Sequence, residues 1–195
     1  MHWKARLGLE QEPLTADCEE AMRVAKPLVL LVSLVAIASL AGCGDDDAAT
    51  DYTVSAVINP NSGDVSDTLT RFDTPDEVLA EHMAALNGCD WGRLMAQYPD
   101  QYTLRMPGGV VVSGREEANT TFAGFVLPHD QGGLCGITFT EVSRTVTGGT
   151  LAVTWEADAD FLTEPYGGTD AYITDDGLLV SMVSTFDGAE LKFTP

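Results

Sequence analysis

His82 falls in a helical apolar stripe with Val78, Leu79, Met83 and Leu86. An imidazole titrates near neutrality and can pass a proton there, and a carboxylate beside it would fix its tautomer. Asp170 stands two residues from Tyr172 in a strand-like run, so both side chains project from one face. The plainer reading has His82 complete its stripe and hydrogen-bond a neighbour, with Asp170 an ordinary strand carboxylate. Cysteines at 18, 43, 89 and 135 are the other reactive groups. They form no C-x-x-C or Cys/His cluster, so zinc and thiol-redox chemistry find no support. No EF-hand spacing occurs, so no calcium loop is expected. The expectation is no metal and no cofactor.

Cys43 has a context of its own. Arg23 and Lys26 precede a 13-residue apolar run, Leu28 to Leu40, which ends at the small pair Ala41-Gly42. A charged n-region, an apolar h-region and small residues before a cut site make an export signal. As a transmembrane span, 13 residues reach roughly 20 Å, short of the ~30 Å hydrocarbon core. Leu40-Ala41-Gly42-Cys43 resembles the lipobox of bacterial lipoproteins. That resemblance implies a diacylglycerated Cys43 as first residue of the mature chain, anchored to a membrane on the exported, periplasmic or extracellular side of the cell envelope. Residues 1–21 carry five carboxylates ahead of the n-region, whereas Met22 begins a well-formed signal. The expected organisation is 1–21 upstream of the true start, 22–42 signal peptide, 43–73 lipidated tether and arm, and 74–195 folded domain. Export would leave two cysteines, Cys89 and Cys135, as a disulfide or as two separate buried thiols.

From Cys43 onward six cations face 25 carboxylates, a formal charge of −19. Such a surface repels nucleic acid and anionic headgroups. It suits solubility or a salty habitat or, more sharply, a cationic ligand or divalent-ion binding.

Stepwise along the domain, Thr74-Pro75-Asp76-Glu77 spells a capping-box start to a helix that Asn87-Gly88 ends. Asp90 caps a second, short helix closed by Pro99. A hairpin turns at Pro107-Gly108-Gly109, and a third helix runs from Gly114 to about Val126. Pro128 to Cys135 is a loop. Leu151, Val153, Trp155, Ala157, Ala159 and Phe161 alternate with polar residues, a period of two that buries one strand face. The apolar phase of the preceding strand slips between Phe139 and Val142, which predicts a bulge and a bent sheet. Asp176-Gly177 turns the last hairpin. Helices first and then a long meander give an α+β class.

His82-Met83-Ala84-Ala85-Leu86-Asn87-Gly88, Asp90-Trp91 and Leu94-Met95-Ala96-Gln97-Tyr98 resemble the opening helices of the NTF2-like, or SnoaL-like, superfamily. Met106-Pro107-Gly108-Gly109 before Gly114-Arg115-Glu116, and Gly168-Thr169-Asp170 before the Asp176-Gly177 turn, extend the likeness over residues 75–193. The resemblance implies a cone: three N-terminal helices packed on a strongly bent antiparallel sheet, with an apolar pocket inside. It places Met106 where ketosteroid isomerase has its Asp base, His82 where that enzyme has an oxyanion Tyr, and Asp170 at or beside its second Asp. A thioether takes no proton near neutral pH. His82, Asp170, Tyr172 and Tyr98 would ring the cavity, with Met106 and Trp155 making it greasy.

The expected function is a lipid-anchored pocket domain that binds a small apolar ligand or a protein partner without catalysis. The alternative is a cyclase, isomerase or hydrolase with His82 and Asp170 as acid and base. Self-association through the outer sheet face is a third expectation, opposed by Glu156, Asp158 and Asp160.

Overall fold

A computed structural model describes residues 50–194. The proposed start at Met22, the signal at 22–42 and the lipidated Cys43 lie outside the described residues. No described helix is long and apolar enough to cross a membrane.

Two short strands, β1 (Val57–Ile58) and β2 (Val65–Ser66), pair in the N-terminal arm. Helix α1 (Pro75–Asn87) starts as the sequence predicts, with both arms of the Thr74/Glu77 capping box formed. Such a cap is worth about 1 kcal/mol. Its inward residues are Val78, Leu79, His82 and Ala85. Helix α2 (Trp91–Met95) is capped by Asp90 and tied to α1 by a two-pronged Arg93–Glu81 ion pair. Strands β3 (Thr103–Met106) and β4 (Val110–Ser113) form the first hairpin and lead into α3 (Gly114–Phe125). The meander β5 (Thr138–Thr147), β6 (Thr150–Asp158), β7 (Tyr166–Asp175) and β8 (Leu178–Thr185) follows.

The six strands lie in the order β4-β3-β8-β7-β6-β5. The meander pairs antiparallel throughout, and β3 joins it in parallel beside β8. Residues of β6 alternate strictly between exposed and buried, as their period of two requires. The register of β5 on β6 slips between Glu141 and Ser143, so Val142 is the bulged residue. A bulge adds local twist and bends the strand, and the sheet curls around α1. At the β7–β8 turn Asp176 and Gly177 both adopt positive φ, 48° and 73°, the geometry of a two-residue hairpin turn.

The arm differs from a loose lead-in, because it packs on the domain from Tyr52 onward. Val57 is buried, Thr70 N donates to Ala96 O at 2.8 Å, and Phe72 N donates to Gly177 O at 3.0 Å. Arg115 at the start of α3 is the clamp. Only 2 % exposed, it directs all its N–H groups to oxygens of Ser55 and Ser66 in the arm, of Met95 at the end of α2 and of Tyr98 just after it.

Two apolar clusters share the interior. One joins the three helices to the sheet through Leu79, Leu94, Tyr98, Tyr102, Phe122, Leu151 and Tyr172. The other gathers Leu134, Ile137, Trp155, Ala157, Leu162, Tyr166 and Leu191 where the last residues cross back over the sheet. Cys89 and Cys135 form a disulfide, which links the end of α1 to the loop carrying Leu134. Cys89 sits at φ 52°, a left-handed backbone that a non-glycine residue rarely adopts.

Candidate functional site

Between the two clusters lies a cavity walled by α1, α3 and the concave sheet face. The space open to water-sized molecules is about 80 Å³, several times the roughly 10–15 Å³ that one water needs. Apolar and aromatic side chains make most of the wall, as in ligand sites generally.

The structure brings five of the six residues that the sequence singles out onto this one wall: His82, Met106, Trp155, Asp170 and Tyr172. Tyr98 stands behind it, with its hydroxyl 3.1 Å from His82 Nδ1. Each arrives by a simple route. His82 lies on the inward face of α1. Asp170 and Tyr172 point inward together on β7, since Asp170 pairs with Ser184 and Tyr172 with Met182 across the sheet. Trp155 comes from the buried phase of β6 and pairs with Gly168. That position must be glycine-sized, because a Cβ there would stand 2.3 Å from the indole Cζ2.

His82 is fully buried. Burial holds its pKa down to about 4, with the nearby Gln97 side chain pulling weakly the other way, so the ring is neutral at physiological pH. Its Nε2 and the Gln97 Oε1 each lack a hydrogen bond of good geometry. The imidazole edge packs on Tyr172, with ring centroids 5.3 Å apart.

Asp170, 5 % exposed, lies in a nest of donors. Ser184 Oγ donates to Oδ1 at 2.6 Å and Tyr172 Oη donates to Oδ2 at 2.9 Å. Desolvation raises the carboxyl pKa, while Ser184, the Trp155 indole, Tyr172 and the Thr185 amide pull it back down. The Trp155 Nε1–H faces this carboxylate without full hydrogen-bond geometry. No hydrogen bond joins Asp170 to His82; the Tyr172 ring separates their two networks. Met106, at the end of β3, adds a thioether to the wall and no acid or base. Among the described residues no group of three or more His, Cys, Asp and Glu is placed to hold a metal ion.

Solved structures share this architecture. SalBIII, an epoxide hydrolase/cyclase-like enzyme in pyran ring formation in the polyether salinomycin, superposes with a TM-score of 0.51 at 17% identity, covering 62% of this chain and 95% of its own. The fold is the NTF2-like cone. An NTF2-like protein of unknown function from Cytophaga hutchinsonii gives a TM-score of 0.49 at 13% identity, covering 62% of this chain and 96% of its own. A putative ketosteroid isomerase from Kribbella flavida gives 0.49 at 17% identity, covering 58% and 77%. No protein-family model and no curated protein matches the sequence.

Sequence reasoning missed several members of this site. Ser184 reaches Asp170 only through the β7–β8 register. Gln97 is near His82 because α2 ends against α1. Gly167-Gly168 inside a strand pattern does carry a readable signal, since glycine there marks a close approach by another group.

Proposed function

We propose that this protein is a lipid-anchored NTF2-like domain that takes up a small, mainly apolar ligand in its central cavity and does not transform it. The observation that carries this reading is the separation of the two groups able to move protons. His82 is buried, neutral and turned to Tyr98. Asp170 has both oxygens occupied by hydroxyl donors. His82 Nε2 has no partner, but with a thioether at Met106 and no hydrogen bond between His82 and Asp170, the cavity holds no coupled acid–base pair. The acid–base alternative draws on one fact, that His82 and Asp170 border the same cavity. It needs a substrate to bridge the Tyr172 ring between them.

Anchoring rests on the lipobox resemblance at Cys43 and the apolar run before it. Growth with labelled palmitate should mark the wild-type protein and leave a Cys43→Ser variant unlabelled and in the aqueous fraction.

Native mass spectrometry of protein purified without detergent tests the binding reading; a small-molecule adduct that dissociates on activation is the expected result. Turnover of any member of an epoxide, enone and ester panel that disappears in His82→Ala would establish the acid–base alternative instead.

A further inference from the structure

Asp170 is a carboxylate set into a greasy wall, and every neighbour that touches its oxygens is a donor. Ser184 and Tyr172 give hydroxyl hydrogens, and the Thr185 amide and Trp155 indole present N–H groups that cannot accept. All four can donate to the acceptor-only anion, and the amide and the indole can do nothing else, although burial raises the carboxyl pKa. Yet no described lysine or arginine lines the cavity, and His82 is held neutral on the far side of Tyr172. A buried charge without a counterion is costly. Here it borders the cavity.

We propose that the cavity's ligand is a small organic ammonium ion, with its cationic head at Asp170 and its apolar body against the aromatic wall. The proposal rests on the reading of the cavity as a ligand site and gives that ligand its chemical class. Two further features point the same way. Trp155, Tyr172, Tyr166, Phe139 and Phe186 line the same cavity as the acid, and aromatic faces attract cations. The domain and its approaches carry a formal charge of −19 from Cys43 onward, which concentrates cations near the surface and repels anions. A neutral ligand gains from the aromatic wall by burial alone and nothing from the net charge.

The decisive comparison uses three probes of one shape on the purified full chain at neutral pH: 2-phenylethylammonium, its neutral isostere propylbenzene, and phenylacetate. Titration calorimetry should give the ammonium about tenfold or more tighter binding than propylbenzene, with no detectable binding of phenylacetate. Asp170→Asn should erase the ammonium advantage and leave propylbenzene within about twofold of its wild-type affinity. Ser184→Ala removes a donor without touching the charge and should keep the preference, so the inference does not hang on Asp170→Asn folding. Equal or better binding of propylbenzene by the wild type would overturn the ammonium assignment and leave the apolar-pocket reading standing. Failure of all three probes to bind would overturn both.

Discussion

Arg115→Met should loosen the N-terminal arm and cost about 3 kcal/mol of stability. Methionine keeps the apolar stem and removes all five N–H donors. In the folded chain those donors serve Ser55 O, Ser66 O and Oγ, and the Met95 and Tyr98 carbonyls. Met95 and Tyr98 are completely buried, so water cannot replace the guanidinium at their carbonyls, whereas Ser55 is exposed and Ser66, 8 % exposed, sits in the arm that would loosen, so both can rehydrate. A bond from a charged donor is worth about 1.5–3 kcal/mol, so two unreplaced bonds amount to about 3–6 kcal/mol. Removing the guanidinium also removes its own desolvation cost, which brings the expected net loss toward the lower figure. Urea unfolding followed by tryptophan fluorescence would measure the loss, and limited proteolysis would show cleavage between residues 52 and 73 that the wild type resists. A loss below about 1 kcal/mol together with an intact arm would refute the clamp.

Three other outcomes follow from the geometry. Replacing Cys89 and Cys135 together by serine opens a loop with a sequence separation of 46, and the chain-entropy relation puts the cost at about 4 kcal/mol; an unchanged urea midpoint would count against it. His82 has a folded pKa of about 4 against an ordinary value of 6.5, so between these values the unfolded chain binds the proton and stability falls as pH drops from 6.5 toward 4. Relative to His82→Gln, the wild type should lose about 3 kcal/mol across that window. Asp170, whose pKa is raised, contributes the opposite slope, losing stability as pH rises through its folded value; it is common to both proteins and cancels in the difference. Gly168→Ala would push a Cβ to 2.3 Å from the Trp155 ring and 2.8 Å from Thr185 O. It should cost about 1–3 kcal/mol and alter the near-ultraviolet circular dichroism, and an unchanged aromatic spectrum would contradict the packing.

Local patterns in this chain wrote out its local structure. The Thr74/Glu77 cap, the alternation through β6, the phase slip at Val142 and the Asp176-Gly177 turn all rest on interactions within a few residues, so composition and spacing suffice to read them. With an order of elements, they were enough for the class and for the bent sheet. The packed arm was not legible, because its attachment runs through Arg115, whose acceptors lie 17 to 60 positions away in sequence. The site divides in the same manner. That Asp170 and Tyr172 share a face follows from the pleat alone. That their partner is Ser184, that a glycine yields room to the Trp155 indole, and that Tyr172 stands between the acid and His82 follow from strand register and from where the sheet curls over α1. Periodicity tells a residue which way to face; only closure of the whole chain decides what it meets there.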